Sequence, residues 1–457
     1  MSNYKPNPLP FDELLSLPNY SQPTLSNDKE KLAFYWDKTG RIELYIIDLE
    51  TNEIVQISDG ELPRAPRTGI TWDRKGDQIF FGKDTGGNEQ NDIWVFSLDK
   101  KEAKALTKTP EFQEHVGSVS HNNEWITFLS TRSGQMNVHK MKLDGSEITQ
   151  LSASDVPVTG GNWSPDDKWI IMSTNEMKTN LENDDIYLYD TESGDMKRVV
   201  RIAEQGSHDN FTDWNPDSKS FAFQSDATGL TQVGIYFLET QEIKWISDGT
   251  SDDNLGKFSP DGKKLAVLRN YEATIQPVIY YLETGKKKIL EIPPGLSFSH
   301  EFLSDDKLLF YYSTSKVRND IIIYNLETDE IEVLLKSEYG SIDKERFIEP
   351  EYIKYKSFDG LEIPAIVYKP KDVPEGVKLP ALIDVHGGPT GQYFLNFSTI
   401  SQYIASEGFV VIDPNIRGST GYGVEFRDAC IKDWGGKDLQ DVVYAAKYLK
   451  SLPYVDP

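Results

Sequence analysis

Residues 163–172 read WSPDDKWIIM, an aromatic residue followed by a short polar turn and then a hydrophobic strand. This order predicts a turn between two β-strands, because proline presets φ at the first turn position and aspartate accepts the tight geometry. The same phrase recurs along the chain, with gaps of 47, 47, 44, 51, 44 and 44 residues between successive starts. The other copies are LSNDKEKLAF from Leu25, WDRKGDQIFF from Trp72, VSHNNEWITF from Val119, WNPDSKSFAF from Trp214, FSPDGKKLAV from Phe258 and FLSDDKLLFY from Phe302.

A second repeated phrase follows each turn and predicts a β-hairpin. In DIYLYDTESGDMKRVV, from Asp185, apolar and polar residues alternate, break at a polar turn and resume. With the strand after the first turn and one strand between copies, each unit has about four strands, the composition of a propeller blade. An extended array would leave its end faces exposed, whereas a ring does not. We therefore predict an all-β seven-bladed propeller over residues 25–335, after an N-terminal segment, 1–24.

The pattern changes after Leu335. Residues 336–350 are polar and predict a linker. From 351 to 457 strand and helix patterns alternate, which predicts an α/β domain with a mainly parallel sheet. The predicted elements are two strands within 351–370, a strand buried on both faces at 379–388, a helix at 397–408, a strand at 409–414 and a helix at 437–452. The last helix is expected to bury one apolar face, made of Leu439, Val442, Val443, Ala446 and Leu449.

Charge and cysteine content restrict the class of protein. The 457 residues carry a net charge of −25, which opposes binding to a nucleic-acid backbone. One cysteine, Cys430, allows no disulfide within the chain. The N-terminus lacks the pattern of a signal peptide, and no apolar run is long enough to span a membrane. We expect a cytoplasmic protein that binds neither nucleic acid nor membranes.

Metal and cofactor sites are not expected. Histidines stand at 115, 121, 139, 208, 300 and 386 without the spacing of metal ligands. No phosphate-binding G-x-x-x-x-G-K-[ST] motif occurs.

Two glycine-rich phrases, HGGP (386–389) and NIRGSTGYG (415–423), make the sequence resemble a known family. They follow the repeats in the order SFDGLEIPA, PALIDVHGGPTGQ, DPNIRGSTGYG and DWGGKDLQDVV. In this order the chain resembles, over nearly its whole length, the prolyl oligopeptidase family of serine peptidases. Its acylaminoacyl-peptidase and dipeptidyl-aminopeptidase branch is the most similar. The resemblance implies that residues 351–457 are the N-terminal part of an α/β-hydrolase domain.

The glycines of HGGP let backbone N–H groups approach a substrate with no Cβ in the way. The resemblance implies an oxyanion hole in which the Gly388 N–H is the donor and Gly387 shapes the turn. Pro389 would stiffen the exit of the loop. His386 would order this loop and not act as the catalytic base. Arg417 would brace the loop or help to hold substrate, with bracing the favoured interpretation.

The expected nucleophile is absent. A hydrolase of this class carries its serine in G-x-S-x-G at a strand-to-helix turn, and no such motif occurs in the 457 residues. Ser419, in G-S-T-G, does not fit this context. We therefore expect the serine, aspartate and histidine of the triad beyond Pro457, and the chain to be a truncated or split product without activity alone.

Two functions remain open at this stage. The first is the N-terminal portion of a serine peptidase that hydrolyses short peptides or acylated peptides, with the missing C-terminal hydrolase segment as a partner. The alternative is a non-catalytic propeller that binds proteins or peptides and carries a vestigial hydrolase piece. The strand ending in HGG would lack its neighbour, so we also expect residues 351–457 to be poorly stable alone.

Overall fold

A computed structural model describes residues 4–64, 68–177, 183–388 and 390–457. Its repeated turns follow directly from the polar phrases in the sequence. In the turn after Trp163, the Ser164 hydroxyl donates to Asp166 at 2.7 Å and accepts from the Trp169 N–H at 2.9 Å. Ser26, Ser120 and Ser259 make the same pair of bonds in their own turns. Each such serine therefore closes the turn between the first two strands of its sheet.

The repeats form antiparallel sheets whose strands are neighbours in chain order. Four-stranded sheets are β1–β4 (Tyr20–Leu25, Lys31–Trp36, Glu43–Asp48, Ile54–Gln56), β5–β8 (Ile70–Trp72, Gln78–Asp84, Asn91–Ser97, Glu102–Ala105), β9–β12 (Glu114–Val119, Trp125–Ser130, Asn137–Lys142, Thr149–Gln150), β13–β16 (Val158–Trp163, Trp169–Thr174, Asp185–Asp190, Met196–Val200) and β17–β20 (Asn210–Trp214, Ser220–Ser225, Gln232–Phe237, Ile243–Trp245). An eight-stranded sheet holds β21–β24 (Asp252–Phe258, Lys264–Tyr271, Thr274–Tyr281, Lys286–Ile289) and β25–β28 (Leu296–Ser304, Lys307–Ser313, Asp320–Asn325, Ile331–Leu335). One parallel pairing, Ile275 with Leu296, joins its two halves.

The first sheet packs against the last one. Phe34 and Trp36 share a buried cluster with Leu309, Tyr311 and other side chains of the last four strands. The Tyr20 hydroxyl donates to the Leu335 carbonyl at 3.1 Å. Other buried clusters join successive sheets along the chain. The two ends of the repeat array are therefore in contact.

The segments on either side of the repeats are packed as well. The N-terminal segment carries the short helix α1 (Phe11–Ser16), and β1 begins within the predicted segment 1–24. The linker contains a short 3₁₀ helix (Lys344–Arg346). The fully buried Phe347 packs with Leu9, Leu14 and Leu17. The N-terminus and the linker thus share one apolar cluster.

After the linker the chain forms a sheet in the order β29–β30–β32–β31. The strands are β29 (Glu351–Lys356), β30 (Glu362–Tyr368), β31 (Ala381–Ile383) and β32 (Val410–Pro414), with helices α2 (Thr399–Ser406), α3 (Val424–Asp428) and α4 (Lys437–Ser451). Of the three pairings described, only that of β31 with β32 is parallel. The prediction of a mainly parallel sheet is therefore wrong for these residues, because β29 and β30 form a hairpin and β32 adds to it antiparallel.

Two further details differ from the sequence prediction. Strand β31 is only partly buried, and the described residues place no strand on its outer side, so it is an edge rather than a strand buried on both faces. Helix α4 buries Asp441, Ala445 and Leu449, of which only Leu449 belongs to the predicted face, while Leu439 is 50% exposed. The helix turns this way because Asp441 binds inside the domain, as described below.

A propeller hairpin docks into the α/β part. The turn between β22 and β23 buries Ala273 completely, in a cluster with Ile348, Tyr368 and Val411. The Ala273 carbonyl accepts the Leu395 N–H at 2.8 Å. None of the helices in the described parts of the chain is long and apolar enough to cross a membrane.

Candidate active site

The loop after β31 carries two glycines with different backbone requirements. Gly388 has φ +133°, and a Cβ built there would lie 2.5 Å from the Thr390 nitrogen. A Cβ on Gly387 would meet no atom of the described residues within 4 Å. Both glycines are exposed. The structure thus demands glycine at 388, the predicted oxyanion donor, and not at 387. Pro389 lies outside the described residues.

His386 is held by Ser419, which the sequence does not mark as a contact of this histidine. Its Nε2 lies 2.9 Å from the hydroxyl of Ser419, which is fully buried. The Ser419 hydroxyl donates to the Ile416 carbonyl at 2.6 Å. On the other side of the ring, Nδ1 lies 3.1 Å from the Gly387 carbonyl. In the sequence, Ser419 draws notice only as a candidate nucleophile. It lies 33 residues after His386, and this separation gives no sign of the contact.

More contacts join the two glycine-rich loops. The Thr420 N–H donates to the Gly391 carbonyl at 2.9 Å. The Asn415 side chain accepts the Tyr393 N–H at 2.7 Å and donates to the Tyr393 carbonyl at 3.0 Å. The Tyr393 ring packs edge-on against His386, with 5.2 Å between ring centroids. Residues 386–393 are therefore fixed against residues 415–420 at several points.

Arg417 makes a different connection from the one predicted. It is buried, and its guanidinium donates to both carboxylate oxygens of Asp441 at 2.8 Å. It also pairs with Asp359 at 2.8 and 3.1 Å. These bonds hold the pKa of Asp359 down, at about 2. Arg417 thus ties the end of β32 to α4 and to the β29–β30 turn, while contacts to the HGG loop come from Ser419 and Thr420.

A buried carboxyl lies near the end of β32. Asp413 accepts a hydrogen bond from the Ser401 hydroxyl at 2.9 Å, but its second oxygen is buried and has no hydrogen-bond partner among the described residues. Burial raises the pKa of Asp413 to about 7, and the neighbouring Asp384 carboxylate adds to the shift. Burial also raises the pKa of Tyr393, as do the charges of Asp384 and Asp413.

The site borders the repeat sheets. A cavity of about 290 Å³ lies between the repeat sheets and the α/β part. Asp252 and Asn270 line it on the side of the sheets, and Gln392, Thr420 and Arg427 line it on the other side. The side-chain amides of Asn270 and Gln392 bond to each other across it, at 2.6 Å. The cavity adjoins both glycine-rich loops, because Gln392 follows the HGG loop and Thr420 belongs to the second one.

Within the ranges that the structure describes, no group of three or more His, Cys, Asp or Glu side chains is arranged around a metal position.

The repeat array of antiparallel sheets is joined to an α/β segment that carries the HGG loop. Residues 395–457 match the sequence profile of the prolyl oligopeptidase family, a family of serine peptidases. The predicted resemblance to this family is therefore confirmed.

Curated relatives match over a short part of the chain. The uncharacterized peptidase YuxL of Bacillus subtilis is 36% identical over 109 residues, which are 24% of this chain and 17% of that protein. A probable dipeptidyl-peptidase 5 of Aspergillus terreus is 38% identical over 112 residues, 23% of this chain and 16% of that protein. The matched segment thus spans less than a fifth of the length of each relative.

Solved structures match over the whole chain. A puromycin-hydrolyzing peptidase of Mycobacterium tuberculosis aligns with a TM-score of 0.86 and 17% identity, over 100% of this chain and 76% of that one. An acylaminoacyl peptidase aligns with a TM-score of 0.69 and 17% identity, over 98% of this chain and 73% of that one. At this identity the likeness shows only that this chain shares the propeller-type fold of these neighbours.

Proposed function

We propose that this chain is the propeller and the first part of the catalytic domain of a serine peptidase that hydrolyses short peptides or acylated peptides. The observation that carries the proposal is Gly388. It lies at positive φ on an exposed loop, clamped to a second glycine-rich loop, in a chain of prolyl oligopeptidase type. Its N–H would stabilise the oxyanion of the tetrahedral intermediate, with Gly387 shaping the turn.

The proposal places the nucleophile outside these 457 residues. The sequence contains no G-x-S-x-G, and Ser419 donates its proton to a backbone carbonyl in a buried turn. A serine, a histidine base and an orienting aspartate would come from a further hydrolase segment. Among the described residues no strand pairs with the outer edge of β31, where Val385 is 41% exposed, and this edge is the surface on which the segment would add a strand.

We further propose that the eight-stranded sheet is two blades, which makes seven blades closed into a ring. The contact between the first and last sheets and the single pairing between β23 and β25 support this count. In this division the propeller begins with β1 at Tyr20, inside the predicted N-terminal segment 1–24, and extends to residue 335. Residues 336–350 link it to residues 351–457, which begin an α/β-hydrolase domain. The propeller would cap the catalytic site, so that short peptides enter and folded proteins are excluded. A cytoplasmic location is part of the same proposal.

The test is labelling of the chain by a fluorophosphonate probe, with and without the coding sequence that follows residue 457. The chain alone should stay unlabelled and should not hydrolyse acylaminoacyl or dipeptidyl p-nitroanilides, whereas the extended protein should do both. Stoichiometric labelling of the chain alone would refute the assignment of the nucleophile. An extended protein that binds peptides without cleaving them would favour the alternative, a non-catalytic binding propeller.

A further inference from the structure

We propose that Ser419 is a positioning residue, which sets the orientation of His386 and, together with Thr420, fixes both ends of the loop that carries Gly388. This inference rests on the proposed role of Gly388. Ser419 would touch neither substrate nor reacting atoms. It would act through the imidazole ring and the backbone beside it.

The first part of the argument is the direction of the hydrogen bonds. The Ser419 hydroxyl donates to the Ile416 carbonyl at 2.6 Å, so only its lone pairs remain for the ring of His386, 2.9 Å away. Nε2 of His386 is therefore the donor to Ser419, while the Gly387 carbonyl, 3.1 Å from Nδ1, is a second acceptor beside the ring. The Ser419 N–H also donates to the Ile416 carbonyl, at 2.9 Å, and the residue is fully buried. The acceptor for His386 is thus held rigidly by its own turn.

The second part is the closure of the loop. Ser419 binds its first residue, His386, and the adjacent Thr420 binds Gly391 through its backbone N–H at 2.9 Å. Space inside the loop is filled, because a Cβ on Gly391 would lie 3.2 Å from both Nδ1 of His386 and the Gly387 carbonyl. Two consecutive residues therefore hold the start and the end of the segment whose middle is Gly388. Its N–H direction depends on both anchors.

The experiment uses the full chain and measures the carbethoxylation of His386 by diethyl pyrocarbonate, residue by residue, with mass spectrometry. Ser419→Ala removes one hydrogen bond from the ring, so modification of His386 should accelerate about fivefold. The five other histidines should react as in the wild type, which shows that the fold is intact. Ser419→Thr keeps the hydroxyl and should restore the slow rate. Ser451→Ala is the matched control, because it removes a serine hydroxyl that donates to the Tyr448 carbonyl in an exposed helical turn.

Amide hydrogen exchange of Gly387, Gly388, Thr390 and Gly391 gives a second readout, expected to accelerate in Ser419→Ala and to stay unchanged in Ser451→Ala. If Ser419→Ala leaves both readouts at wild-type values, the proposal is overturned. Should the variants misfold, nitrogen NMR of the wild-type chain decides: a proton on Nε2 of His386 supports the proposal, and a bare Nε2 contradicts it. None of these measurements requires peptidase activity, so their failure is distinct from failure of the proposed function.

Discussion

Gly388 and Gly387 are neighbours in the sequence, yet only one needs to be glycine. Gly388→Ala places a methyl group 2.5 Å from the Thr390 nitrogen at a φ of +133°. We expect this substitution to cost about 1–3 kcal/mol locally and to accelerate amide exchange in residues 386–391. Gly387→Ala, with no atom of the described residues in reach of its Cβ, is the control and should leave the exchange unchanged. Equal effects of the two substitutions would contradict this assignment.

Asp413 gives the molecule a pH dependence whose sign is fixed by burial. Because its pKa is raised to about 7, the folded chain binds this proton more tightly than the unfolded chain does. Its contribution to stability is full below about pH 4 and is lost as the pH rises towards 7. Asp413→Asn should remove this loss. Its free energy of unfolding, relative to that of the wild type, should therefore rise by as much as about 4 kcal/mol between pH 4 and 8.

The measurement for Asp413 is the free energy of unfolding at several pH values. Asp359→Asn is a useful contrast, because the Arg417 guanidinium lowers the pKa of Asp359 to about 2. The effect of this substitution should appear at the acid end instead, because the wild type loses the contribution of the Asp359 carboxylate to stability as the pH drops below about 4. Parallel pH profiles for wild type and Asp413→Asn would show that Asp413 does not carry the effect.

At the scale of single elements, α4 shows what the hydrophobic pattern misses. Leu449 is 4% exposed and Leu439 is 50% exposed, although both belong to the predicted apolar face. Leu449→Ala should cost about 2–5 kcal/mol in unfolding free energy because it leaves a cavity. Leu439→Ala, the same chemical change on the outer face, should cost less than about 0.5 kcal/mol. Denaturant titration of both variants tests the orientation of the helix, which similar losses would contradict.

The docked hairpin between β22 and β23 allows a second comparison. Ala273 is fully buried against the α/β part, whereas the adjacent Glu272 is exposed, and both have positive φ. Ala273→Leu should overfill the cluster and cost about 1–3 kcal/mol. Glu272→Ala should be nearly neutral. A thermal unfolding experiment that finds Ala273→Leu as stable as the wild type would show that the hairpin does not anchor the two parts.

Local repetition made much of the element order predictable. The seven copied phrases mark the turn between the first two strands of each unit, and Leu25, Trp72 and Trp163 are the last residues of the first strands in their sheets. A second regularity in the sequence also marks the sheets. Glu43 and Ser58, Asp92 and Thr107, and Asn137 and Ser152 are each 15 residues apart and hydrogen-bonded. Such pairs join the third strand of a sheet to the residues after its fourth.

The orientation of α4 and the loop contacts were not predictable in the same way. Hydropathy assigns Asp441 to solvent, but its partner Arg417 lies 24 residues earlier. His386 and Ser419 are 33 residues apart. Contacts of this kind depend on how β31 and β32 pair, which no local pattern encodes.

For the whole molecule we predict unequal resistance to proteases. Among the described residues no strand pairs with the outer side of β31, so residues 351–457 should be cut before the repeat sheets. Limited proteolysis with fragment masses tests this, and a resistant fragment longer than about 400 residues would contradict it. Cutting at similar rates in both parts would show that the N-terminal and linker contacts stabilise them together.

Because the first and last sheets pack together, the first strands cannot bury their apolar face until the last strands have been synthesised. The aromatic face of Phe34, Trp36 and Tyr45 is completed by Leu309, Tyr311 and Leu335. At about 5–20 residues per second, a ribosome adds those partners about 15–60 s after Tyr45. For that interval the first strands expose a large apolar surface beside a growing chain. The nascent protein is therefore expected to engage a holding chaperone until residues near 335 emerge.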